Sequence, residues 1–298
     1  MDPPRSNFRT HDDARVAHLI EAFGGSGRVE RAGRTTFVVA NEVDSAAVRS
    51  AMVAVGRTIR EIESWAAVSQ AQVRNPGPSL TIGLFADLDA YDRYLVSESL
   101  RGLSGSLGMT HPVRSVCCAV VGESPHGVDA RTIIAHESVH LWTLRSGLCP
   151  AWQAWPRWLH EGFAQLWDHL ATAAGDPATA TSQAPGSSGF RIEPNRDRQR
   201  DWRRIANSTD VERFLRTDMI RDHRRHGDDY ATCWAITFAL ATWGEGALLP
   251  ELVNHLVVQD LQPFSGVPAE KETLGWLKTR VGGKWAEFAD CVASAGRT

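Results

Sequence analysis

Apolar residues recur at spacings of three and four along residues 45–68, where Val48, Met52, Val55, Ile59, Ile62 and Trp65 share one side. That period predicts a helix with one buried face, with Asp44 or Ser45 as its N-cap. Three short β-branched or apolar runs read as strands: 34–40 (RTTFVVA), 79–85 (SLTIGLF) and 115–121 (SVCCAVV). Shorter helices are expected at 16–23 and 89–96, with a glycine-rich loop through Gly102, Gly105 and Gly108 between the second and third strands. From Val128 the pattern turns helical. Asp129 is placed to cap a helix through 132–144, and the turn CPAWQAWP leads into another at 157–171. Residues 172–189, rich in Ala, Gly, Ser, Thr and Pro, read as a mobile surface loop or linker. Helical patterns then fill 211–220, 230–243, 248–258, 271–280 and 285–295.

The expected plan is α+β. It comprises a tail at 1–14, a mixed α/β subdomain at 15–172, a linker at 173–200 and an all-helical subdomain at 201–298. A cleft is expected between the α/β part and the helical part.

Composition narrows the class without naming a function. The chain has 298 residues, 43% of them hydrophobic and 22% charged, as in an ordinary soluble globular protein. A net charge of −3 gives no pull toward nucleic acid or an anionic membrane. The Arg-rich stretch 191–225 is interleaved with acids and reads as a solvated helical surface. Neither a signal peptide nor an 18-residue apolar run is seen, so a cytoplasmic location is expected. The five cysteines form no CxxC pair, which disfavours a cysteine-based zinc finger. Trp142, Trp158, Trp167, Trp234, Trp243 and Trp276 fall in helical stretches and read as packing anchors.

The chemistry is concentrated in His136-Glu137-Ser138-Val139-His140, an HExxH pattern inside an apolar helical run. Residues i and i+4 lie on one helix face, so both imidazoles can reach one ion while the Glu points beside it toward a water. A catalytic zinc needs a third protein ligand and an open position. Trp158-Leu159-His160-Glu161-Gly162-Phe163-Ala164 follows on the next helix and offers Glu161. His160 points about 100° away from Glu161 on a helix and is not counted as a ligand. Gln165 and Asp168 share the face of Glu161 and could accept a bond from a ligating imidazole, although exposure to solvent is the expected role of each.

These two motifs, in this order and separation, resemble the gluzincin zinc metallopeptidases, most closely their peptidase MA-like domains. The resemblance implies a zincin-like fold and one zinc per chain held by His136, His140 and Glu161. Glu137 would be the general base for hydrolysis of a peptide or protein substrate. Several gluzincins add a Tyr or His from the helical subdomain as oxyanion donor; the best match is Tyr230, with His223 and His226 as competitors. A strand at the edge of the cleft pairs with extended substrate in that family, and 115–121 precedes the zinc helix at the corresponding place, although an ordinary core strand fits it equally well. The clan's aminopeptidases carry a G-x-M-E-N signature, whereas this chain has Gly108-Met109-Thr110-His111 and no Glu there. That departure favours endopeptidase activity. The competing readings are a zinc-binding but catalytically idle binding module, and a helical interaction module in which HESVH is coincidental. Oligomeric state is not legible.

Overall fold

The computed structural model describes residues 6–122, 127–172, 192–217, 226–259 and 269–297. The fold mixes helices with a five-stranded sheet. The described residues divide into two compact units. One comprises the chain up to Arg60, Asn75–Arg145 and residues 170–172; the other comprises Glu61–Arg74, Ser146–His169 and the described residues from 192 onward.

The first unit holds the sheet. Its strands are β1 (Arg28–Ala32), β2 (Thr35–Val39), β3 (Leu80–Phe85), β4 (Gly108–His111) and β5 (Val116–Val120). Their order is β1-β2-β3-β5-β4. β2, β3 and β5 run parallel, and β1 and β4 pair antiparallel at the two ends. Every residue of β3 and β5 is buried, as expected of strands covered on both faces. On one face, α1 (Ser6–Ala22) and α3 (Leu88–Ser97) enclose Leu19, Val38, Phe85, Tyr91, Tyr94, Leu95, Met109 and Cys118. On the other lies α4 (Ala130–Ser146), whose Ile133 and Glu137 approach Gly108. The helix α2 (Ser45–Val68) meets α4 through Ala54 and Ala135.

The helix α2 has the expected bounds, and Asp44 is its cap: its Oδ2 accepts the N–H groups of Ala46 and Ala47 at 3.0 and 3.4 Å. One expectation needs correction. The stretch 1–14 was expected to be a tail, yet α1 begins at Ser6. Long-range contacts invisible to local pattern anchor it, since Asp12 accepts the Ser79 hydroxyl at 2.6 Å and lies 3.6 Å from the Arg145 guanidinium. Of the two readings open for 115–121, the core strand holds: β5 lies between β3 and β4, so it is an interior strand and β4 ends the sheet.

The second unit is helical: α5 (Arg157–Gln165), α6 (Arg196–Ile205), α7 (Val211–Thr217), α8 (His226–Thr242), α9 (Leu248–Gln259), α10 (Ala269–Val281) and α11 (Trp285–Ser294). The linker stretch expected at 173–200 lies outside the described residues as far as 191, and α6 occupies its end. Asn195 caps α6 by accepting the N–H groups of Asp197 and Arg198, and the Trp202 indole donates to the Val292 carbonyl at 2.9 Å. Arg198, Arg200 and Arg204 pair with Asp197, Asp201 and Asp228 on an open face; residues 218–225 of the charge-rich stretch lie outside the described residues. Trp142, Trp158, Trp167 and Trp234 are buried packing residues, as read from the pattern.

Gly162 is where α5 meets α8. A Cβ there would stand 2.1 Å from Thr237 Oγ1 and 2.4 Å from the Cys233 carbonyl oxygen. Main chain cannot yield as a side-chain tip can, so Gly162→Ala is expected to destabilise the protein by about 1–3 kcal/mol. Thermal denaturation checks this, and an unchanged melting temperature would show that α8 gives way freely.

Among the described residues, no helix is long and apolar enough to cross a membrane.

Candidate metal and catalytic site

The helix α4 starts where Asp129 takes the Arg131 N–H at 2.8 Å, an N-cap bond that sets the helix phase. Ile134, Ala135, Val139, Leu141 and Trp142 are fully buried. With that face packed, His136 and His140 project together, as residues four apart must. Their Nε2 atoms are 3.1 Å apart, and the rings stand nearly perpendicular at 85°. His140 is buried at 4% exposure and His136 is half-buried.

The Glu137 side chain reaches β4. The Thr110 hydroxyl lies 2.9 Å from its Oε2 and also 2.9 Å from its main-chain oxygen. A Cβ on Gly108 would come within 3.0 Å of the Glu137 Cγ. The local sequence reading missed these contacts. The only signal was the Gly108-Met109-Thr110-His111 segment, noted for the glutamate it lacks.

Pro156 precedes α5, its φ of −65° ready for a helix start. Trp158, Leu159, Phe163 and Ala164 are buried. His160 is engaged elsewhere than Glu161. Its ring stacks on Trp152 with centroids 4.4 Å apart, and its Nε2 lies 2.9 Å from the Trp152 carbonyl oxygen. Gln165 and Asp168 were expected at the surface, yet they are 0% and 2% exposed. Burial suits Asp168 because the Asn195 amide donates to its Oδ1 at 2.6 Å, while the same amide group reaches the Gln165 carbonyl at 3.2 Å.

The ligand atoms of His136, His140 and Glu161 all lie within 4.8 Å of one another, a group that could hold a metal ion. Two nitrogens bound to one tetrahedral zinc at about 2.0–2.1 Å would stand about 3.3 Å apart, close to the imidazole separation here. A hydrogen bond between the rings would give the same spacing. The carboxylate as third donor is what distinguishes the group, and two imidazoles with one carboxylate suit zinc by chemical type.

Tyr230 lies in the first turns of α8, half-buried, with the Arg198 guanidinium 5.5 Å above its ring. His226 begins the same helix, and its side chain lies outside the described residues, as does the whole of His223. Cys117 and Cys118 are fully buried on β5, and burial pushes the Cys118 thiol up to about 12, so it stays protonated and packs as a small apolar group.

A search of the curated proteins finds no match. A family model described as "Protein of unknown function (DUF1570)" matches residues 130–256. That stretch runs from the first residue of α4 into α9 and contains His136, Glu137, His140, Glu161 and Tyr230. Over both motif helices and α8, then, this chain is similar to that family.

Proposed function

We propose that this protein is a zinc-dependent metallopeptidase of the gluzincin type, with a zincin-like fold, that cuts peptide bonds within chains. The observation that carries the reading is that His136 and His140, Nε2 to Nε2 at 3.1 Å, share with a carboxylate oxygen a group spanning no more than 4.8 Å, while Glu137 lies between them in sequence with its Oε2 2.9 Å from the Thr110 hydroxyl. The proximity of a Glu161 carboxylate oxygen adds a third donor of the right type.

On this reading His136, His140 and Glu161 hold the ion. Zinc, when bound, supplies a Lewis acid that polarises the scissile carbonyl and eases deprotonation of water at neutral pH. Glu137 accepts the proton of the attacking water and returns it to the leaving amine. Tyr230 donates its phenolic proton in a hydrogen bond to the developing oxyanion, which a group protonated at neutral pH can do. The strand β4 suits an extended peptide. The Val120 N–H bonds to the Leu107 oxygen, so antiparallel alternation turns the N–H and C=O groups of Gly108 and Thr110 away from β5. Main-chain pairing there would give affinity with little sequence preference.

The test is hydrolysis of an equimolar mixture of internally quenched peptides by zinc-loaded protein. Cleavage abolished by a chelator and restored by zinc is expected. A zinc-loaded protein that cleaves nothing would leave the idle binding module as the better account. Tyr230→Phe is expected to lower kcat by about 10²-fold at constant zinc content. Unchanged turnover would assign Tyr230 to packing under Arg198 alone.

A further inference from the structure

We infer that Thr110 is a positioning residue whose hydroxyl holds the Glu137 carboxylate in the orientation that proton transfer requires. The inference rests on the reading of Glu137 as the general base.

The hydroxyl carries one proton and faces two acceptors, Glu137 Oε2 and the Glu137 main-chain oxygen, each at 2.9 Å. Both acceptors belong to one residue, so the hydroxyl stays lodged against Glu137 whichever receives its proton. A neighbouring contact narrows the side chain further. Gly108 lies flush with α4, where a Cβ would meet Ile133 Cγ2 at 2.7 Å and Glu137 Cγ at 3.0 Å. Gly108 and Thr110 are two apart and share one face of β4, so the strand touches Glu137 at both its stem and its carboxylate.

The strand is itself pinned. Met109 is buried in the core on the opposite face. His111 Nε2 lies 3.4 Å from Glu98 Oε2, an oxygen that also takes the Arg114 Nε at 3.0 Å, and the Arg114 main-chain N–H donates to His111 Nδ1 at 3.3 Å. His18 on α1 stands 3.7 Å from the other Glu98 oxygen. A side chain that orients a reacting group is effective when its own backbone is held, and β4 is held on both faces. The segment Gly108-Met109-Thr110-His111 thus gains a role other than binding a substrate amine.

A Thr110 that merely staples β4 to α4 through the helix carbonyl would change melting temperature and leave turnover alone. The variants Thr110→Val and Thr110→Ser separate these roles, because Val keeps the shape and Ser keeps the hydroxyl. Each is zinc-loaded and assayed on a quenched peptide that wild type cleaves, with metal content and melting temperature measured alongside, and Thr110→Val is crystallised. The expected result for Thr110→Val is a kcat about 10- to 100-fold lower, with KM and zinc content unchanged and the Glu137 carboxylate turned from its wild-type position. Thr110→Ser should recover most of the rate. Wild-type kcat in Thr110→Val, or no recovery in Thr110→Ser, would overturn the inference. If wild type cleaves no peptide, the peptidase reading fails, and the crystal structure still decides this point: a Glu137 carboxylate unmoved in Thr110→Val overturns it, and a displaced one supports it.

Discussion

Glu137→Gln is expected to keep its zinc and lose hydrolysis. The substitution preserves side-chain length, and the amide oxygen can still accept the Thr110 hydroxyl, so the local packing of α4 against β4 should survive. An amide cannot take a proton from water at neutral pH, so the general-base contribution, about 10²–10⁴-fold, disappears. Steady-state kinetics on a peptide cleaved by wild type, paired with metal analysis of both proteins, checks this. Equal turnover would place the base elsewhere or imply another reaction.

His140→Ala is expected to lose both metal and metal-dependent stability. A buried imidazole within 3.1 Å of its partner is replaced by a methyl group, leaving two protein donors where a catalytic zinc takes three. A ligand that binds only the folded state stabilises it by about 2.7 kcal/mol at a hundred times its Kd. Wild type should therefore melt higher with added zinc than with chelator, and His140→Ala should melt at the same temperature in both. A zinc-induced rise of equal size in the variant would remove His140 from the ligand set.

The parts of this molecule that follow from local pattern were legible in the sequence. The apolar stripe from Val48 to Trp65 gave α2 its bounds, and the HESVH and WLHEGFA runs indicated which residues face together on α4 and α5. Strands β2, β3 and β5 were legible because their apolar runs are buried on both faces. The two end strands were not. β1 (RVERA) is polar and half-exposed, and β4 is four residues long inside a glycine-containing loop, so each exists only through its partner strand. The start of α1 and the whole of α6 likewise depend on distant contacts, through Asp12 to Ser79 and Trp202 to Val292. The same limit explains the site. His136 and His140 are four residues apart and announce themselves. Thr110 meets Glu137 across 27 residues, and nothing local in either segment predicts the other. Gln165 and Asp168 were misplaced at the surface because polar residues usually lie there, and the Asn195 amide that donates to Asp168 lies 27 residues away.

The central claim is that His136, His140 and Glu161 jointly hold one zinc. Elemental analysis after zinc repletion and removal of free metal tests it most directly, on wild type and Glu161→Ala in parallel. The account predicts about one equivalent of zinc in wild type and loss of most of it in Glu161→Ala. Wild type without zinc after repletion, or Glu161→Ala retaining a full equivalent, would contradict it.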